Sequence, residues 1–137
     1  VLVVGVLVCT TLWSGMTYRQ WQRDTRAYAE FDGQITRAIA YVQQYYQAAQ
    51  MHDAQWYVSP EWRDGDVGVY LLRGKEVGVV SADARTPSTA STQLMLLAAD
   101  APMPQGAISL ALPATLAVRD DLALWCVGNC NDVDWLH

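Results

Sequence analysis

The sequence predicts an α+β fold: a long N-terminal helix, membrane-spanning over its first half, whose second half packs on a small antiparallel β-sheet. Three observations carry this reading. The first 18 of the 137 residues, Val1 to Tyr18, hold no charged side chain. From Tyr18 to Gln50 there is no proline, and apolar residues return every three or four positions. After Gln50, short Val- and Leu-rich runs alternate with Gly, Pro, Ser and Asp turns. The domain reading is therefore a hydrophobic helix over 1–18, its amphipathic continuation over 19–50, and a globular antiparallel-sheet domain over 51–137.

As a helix rising about 1.5 Å per residue, Val1 to Tyr18 spans roughly 27 Å, close to the hydrocarbon thickness of a bilayer. Trp13, Tyr18 and Trp21 then fall where amphipathic rings favour the headgroup level. A secretory signal peptide would show a basic n-region and a small-residue cleavage site, and this run has neither. A buried core helix is the other alternative, because composition does not separate it from a membrane segment. Val1, Leu2, Val4, Gly5, Leu7, Val8, Leu12 and Met16 are the residues expected to meet lipid or other helices. Further on, Tyr28, Phe31, Ile35, Ile39, Val42 and Tyr46 form one stripe for helix-to-sheet packing, with Arg26, Glu30, Gln34, Arg37 and Gln44 opposite. One helix of about 50 residues, roughly 75 Å long, follows.

Beyond the helix, 51–66 reads as an irregular loop anchored by Trp56, Tyr57 and Trp62. Residues 66–72 and 75–81 read as strands joined by a hairpin turn at Arg73-Gly74. Residues 93–99 fit a strand or one short helix. Residues 108–112 and 115–118 read as short strands around Pro113, which marks an edge or bulge. A last strand over 122–127 and a polar tail over 128–137 complete the sheet domain, and strands joined by short turns favour antiparallel pairing.

Charge limits the function classes. The chain carries 9 Lys+Arg against 14 Asp+Glu, net −5, divided as +1 over 1–50 and −6 over 51–137. A phosphate backbone requires a basic footprint, so no nucleic-acid partner is expected. With 52% hydrophobic and only 17% charged residues, the chain can bury a core. Catalytic constellations are missing: there is no Gly-rich phosphate loop or metalloprotease helix motif. His52 has no sequence-near partner for nucleophilic chemistry and reads as a histidine at a helix C-terminus. Asp64 with Asp66, Asp120 with Asp121, and Asp132 with Asp134 lack the spacing of a calcium loop and read as surface turns. No enzyme activity, cofactor or metal is expected. Cys9 reads as a small hydrophobe within the apolar run. Cys126 and Cys130 flank Val-Gly-Asn, a turn that leaves three readings open: a disulfide worth about 2 kcal/mol, two free thiols, or a metal site with His137 and the nearby aspartates.

The apolar run Val1 to Val8, the junction at Thr17-Tyr18-Arg19-Gln20, the amphipathic stretch to Gln50 and the late Trp125-Cys126 with a second cysteine resemble a type IV pilin or pseudopilin. That resemblance implies a lollipop-shaped subunit, with the back half of the helix on an antiparallel sheet and a disulfide near the C-terminus. It also implies self-association, or association with other pilins, through N-terminal helices, and handling by an inner-membrane assembly machinery. The expected location is a bacterial inner membrane before assembly, then a filament on the cell surface or in the periplasm. Val1-Leu2-Val3-Val4 fits the residues that follow the family's assembly glutamate, and a Val1 terminus would instead place Gly5 where that glutamate stands. The alternatives are a single-pass accessory protein of a pilus or secretion apparatus, and a membrane-tethered module holding a sugar or peptide on Trp56, Tyr57 and Trp62.

Overall fold

The uncharged run folds as the front of α1 (Leu2–Arg23), and the periodic stretch after it as α2 (Gly33–Met51). The computed structural model describes residues 2–23, 33–80 and 89–136. Continuity of the two helices, and the packing expected of Val1, Tyr28 and Phe31, lie outside the described residues. By internal contacts the chain forms two units, Val1–Gly33 and Gln34–His137.

No helix among the described residues is long and apolar enough to cross a membrane. This corrects the membrane-spanning first half, and the reason is in the order of residues along α1. Strongly apolar residues dominate from Leu2 to Leu12, about 16 Å of helix against a hydrocarbon core of about 30 Å. Beyond Leu12 come Ser14, Gly15, Thr17, Tyr18, Arg19 and Gln20, which dilute the run before it reaches the far interface.

The second unit is built on a five-stranded sheet of order β2-β1-β3-β5-β4. Its strands are β1 (Ala54–Val58), β2 (Gly78–Val79), β3 (Thr92–Ala98), β4 (Ile108–Leu110) and β5 (Leu122–Gly128). β1 runs parallel to both β2 and β3, whereas β5 is antiparallel to β3 and β4. The sheet is therefore mixed, which corrects the antiparallel expectation. The cause is the chain between β1 and β2: it crosses over through two short helices, α3 (Pro60–Asp64) and α4 (Asp66–Leu71), and a crossover returns the next strand parallel.

Two sequence expectations fail here for local reasons. β1 lies where a loop was expected, because Asp53 turns the chain through a left-handed φ of 50° straight from α2 into Gln55-Trp56-Tyr57-Val58. Asp is one of the few side chains that tolerate that conformation. The strand expected at 66–72 is α4 instead. Its Val-x-Val-x-Leu alternation looks like a strand, yet Gly68 lies directly on the Trp62 carbonyl, where a Cβ would overlap it. The expected hairpin at Arg73-Gly74 accordingly does not form, and β2 is only two residues long. Residues 115–118, expected as a strand, instead lie in one π-helical turn, Thr115–Arg119, after Pro113.

Cross-strand register explains the core. Trp56 pairs with Leu94 and Leu94 with Cys126; Val58 pairs with Leu96 and Leu96 with Leu124. All six are buried on one face, in one cluster with Ala38, Ile39, Val42, Tyr46 and Ala49 of α2. Ile35 packs against the same cluster from the first turn of α2. The other face carries a smaller cluster of Tyr57, Met95 and Leu97. β3 is thus buried on both faces, which is why Leu94 to Ala98 reads as a continuous apolar run and not as an alternating one.

Two substitutions test this packing by chemical denaturation. Leu94→Ala is expected to cost about 2–5 kcal/mol, as loss of a fully buried leucine does. Gly68→Ala is expected to cost about 1–3 kcal/mol through overpacking against Trp62; a strand at 66–72 would instead make that change neutral or stabilising.

Candidate functional site

The side chains of α1 described from Gly5 to Gln20 are all exposed. Val6, Leu7, Val8, Leu12, Trp13 and Met16 lie between 52% and 75% exposed. They point in every direction around the helix, because 3.6 residues make a turn. The threonine hydroxyls along this stretch bond back to their own helix. Thr10 donates to the Val6 carbonyl at 2.9 Å, Thr11 to that of Leu7, and Thr17 to that of Trp13 at 2.9 Å. Each polar hydrogen is satisfied inside its own helix, leaving methyl groups outward. Cys9 is the free cysteine of the described chain and is exposed on this same helix.

In the second unit, Cys126 and Cys130 form a disulfide, with Cα atoms 6.0 Å apart. Cys126 is fully buried under α2 in the core row of β5. Gly128 allows the exit from that strand: its φ is 95°, and a Cβ there would overlap the Ser91 carbonyl. The segment after it is not a polar tail. It forms short 3-10 turns at Cys130–Asp132 and Asp134–Leu136, and it buries Val133 and Leu136 in the core. Trp135 stacks on the His52 ring at 5.3 Å with the planes 1° apart. His52 closes α2 by donating its backbone N–H to the carbonyls of Ala48 and Ala49.

Trp56, Tyr57 and Trp62, the trio that would have held a ligand on an exposed platform, are 1%, 4% and 4% exposed. No ring face among them is open to a sugar or peptide. Among the described residues no group of His, Cys, Asp or Glu is placed to hold a metal ion.

Three features were missed by sequence reasoning. Asp120, read as a surface turn, is buried, and its carboxylate lies 3.7 Å from the Arg37 guanidinium. That is an ion pair too long to be a hydrogen bond. The Gln34 amide also donates to the Asp120 carbonyl at 2.7 Å, so two residues of α2 hold the start of β5. The only signal in sequence was the position of Arg37 one turn after Gln34. The second feature is Tyr41, whose ring packs on Tyr45 and meets Trp56 edge-on. Burial, with the neighbouring Tyr45 phenol adding to it, pushes the Tyr41 hydroxyl up to about 12. The third is a polar pocket of about 320 Å³ at the C-terminal end of α2, lined by Tyr46, Gln50, Asp53, Trp56 and Glu76 among others. A shallower groove of about 360 Å³ runs between α2 and the π-helical turn, past Tyr41, Tyr45 and Leu116.

The Tyr41 environment predicts an alkaline limit to stability. A phenol raised from 10.0 to about 12 in the folded chain favours folding fully below pH 10. That contribution drains away as pH rises from about 10 to about 12, where the unfolded state releases its proton first. Denaturation curves across this window should show Tyr41→Phe losing less stability with pH than the parent chain. At Cys126 and Cys130, a double Cys→Ala change is expected to cost about 2 kcal/mol from loop entropy, plus a further cavity cost at the buried position, read from the denaturation midpoint.

No protein-family model, curated protein or solved structure matches this chain.

Proposed function

We propose that this chain is a structural subunit that assembles through α1, with copies of itself or related subunits, into a filament of the pilin or pseudopilin kind on the cell surface or in the periplasm. It has no catalytic turnover of its own. One observation carries the reading: α1 exposes apolar side chains on every side, with its threonine hydroxyls turned inward. A helix that is apolar all round requires burial all round. A single groove would cover one stripe of it, whereas neighbouring helices in a filament core cover the whole circumference.

The energetics favour that arrangement. Val6, Leu7, Val8, Leu12 and Met16, all more than half exposed, would each contribute about 1.5–3 kcal/mol on full burial. Summed over the neighbours of each subunit, this offsets the several kcal/mol lost in immobilising it. The acidic second unit, with its own core and disulfide, would face solvent, and its charge of −5, 6 Lys+Arg against 11 Asp+Glu over 34–137, keeps assembled surfaces soluble. Support for the pilin kind comes from the helix and the C-terminal disulfide; the mixed sheet departs from the antiparallel sheet that the resemblance implies.

Electron microscopy of sheared surface fractions tests the proposal. Filaments containing the chain are expected, and Leu12→Glu should abolish them while leaving the second unit folded, as read by near-ultraviolet circular dichroism. Filaments that persist undiminished in Leu12→Glu would rule out α1 as the assembly element.

A further inference from the structure

One edge of the sheet is left open in a way that selects what can pair with it. β4 lies last in the strand order and pairs with β5 on one side. Alternate residues of an antiparallel edge strand direct their N–H and C=O groups away from that neighbour. Among the described residues, no backbone hydrogen bond outside the sheet ladders is made by 108–112. Edge strands are ordinarily kept apart by a charge, a proline or a bulge. Residues 107–112 hold no charge and no proline, and the register against β5 is regular from Ile108 to Leu110. The opposite edge, β2, is only two residues long.

The side chains of β4 show what an added strand would complete. Ile108 and Leu110 pair with Cys126 and Leu124, so both belong to the sheet face that α2 covers. Leu110 packs against that core, but Ile108 remains 52% exposed at its margin. Ser109, opposite Trp125, is exposed on the other face. The next residue in the Leu94-Cys126-Ile108 row would come from a strand laid along β4, and cross-strand apolar pairs of this kind stabilise a sheet.

Charge and pattern together name the occupant. The second unit carries 6 Lys+Arg against 11 Asp+Glu over 34–137, so two copies repel wherever their acidic surfaces meet. Over 101–118 no residue is charged, the longest such run in that unit, and β4 lies inside it. A copy therefore approaches here without bringing like charges together. A cationic partner would be drawn to the acidic surface elsewhere and gains nothing at an uncharged edge. The strand also complements itself. Laid antiparallel about Ser109, Ile108 faces the partner's Leu110 and Ser109 faces the partner's Ser109, so apolar meets apolar and hydroxyl meets hydroxyl. We propose that the β4 edge docks the same edge of a second copy, antiparallel about a two-fold axis at Ser109, joining the two sheets into one. A contact of this isologous kind closes at two copies. The inference does not rest on the filament reading, because the seam belongs to the second unit alone. A seam of six residues a side falls below the usual size of a stable interface, which sets a Kd on the order of 0.1–1 mM.

The test is oxidative thiol crosslinking of the full chain in detergent. Cys9→Ala removes the free thiol, and Leu12→Glu removes association through α1. The two-fold pairing sets Ala107 opposite the partner's Ala111, with Cβ atoms about 4.5–5.5 Å apart, close to what a disulfide spans. A mixture of Ala107→Cys and Ala111→Cys chains is expected to give a linked dimer, with either chain alone giving about tenfold less. Ser109→Asp in both chains should cut the mixed yield about tenfold, because like charges then stand directly opposite. Combining a Ser109→Asp chain with a Ser109→Lys chain should restore it. Ser109 is exposed, so neither change is expected to move the melting temperature. No crosslinking at about 1 mM protein, equal crosslinking in mixed and single samples, or a mixed yield indifferent to Ser109→Asp would overturn the proposal. So would a lysine-flanked peptide of residues 107–112 that protects the edge amides from hydrogen exchange while the chains stay unlinked, since the edge would then take a foreign strand. Any of these failures leaves the filament reading standing, because α1 is silenced throughout.

Discussion

The rest of the second unit depends on the two-sided burial of β3. Leu94 and Leu96 face α2, Met95 and Leu97 face the other way, and all four are at most 3% exposed. Because β3 pairs in parallel with β1 and antiparallel with β5, its register fixes both neighbours at once. A slip of one residue would turn Leu94 and Leu96 out of the α2 interface and break both ladders together. The position of Cys126 follows from its pairing with Leu94, and the position of Trp56 follows from the same residue. The wall of the polar pocket and the attachment of the C-terminal segment are consequences of one strand's alternation.

The two units solve the burial problem in different ways. From Gln34 onward, the chain encloses its own large apolar residues under α2 and behind β3. The first unit leaves the apolar residues described from Gly5 to Gln20 outward. Unlike the scattered exposed residues Val69, Tyr70 and Val118 of the second unit, those of α1 form a contiguous surface, and contiguous apolar surface marks association. The threonines of α1 sharpen this contrast, since their hydroxyls bond back to their own helix and ask nothing of a neighbour.

Much of the helix and strand pattern was legible, and the failures have identifiable physics. The stripe Ile35, Ile39, Val42 and Tyr46 could be read because its spacing of three and four is set by the helix itself. β3 and β5 could be read as short apolar runs, although only pairing showed that β3 is central. Val67, Val69 and Leu71 misled, because alternation over six residues does not exclude a short helix when a glycine allows close approach to the turn before it. The direction of β1 could not be read, since parallel pairing depends on the crossover through α3 and α4 and leaves no mark on the strand. At α1, the absence of charge was legible, but it did not establish enough apolar length to cross a bilayer. Burial of Asp120 and of the Trp56 indole N–H arises from packing between distant segments, which local sequence does not record.

The central claim is that α1 buries its apolar surface against the same helix of neighbouring subunits, and Cys9 offers a direct probe. It is free and exposed on that surface, while Cys126 and Cys130 are joined in a disulfide, so a thiol-reactive spin label attaches there alone. Pulsed dipolar spectroscopy on assembled protein, compared with a sample diluted by unlabelled chain, reads distances between subunits. The account predicts a short intermolecular distance that fades on dilution with unlabelled subunits, as adjacent helices in a shared core require. Labels that remain beyond dipolar range in assembled protein would contradict it.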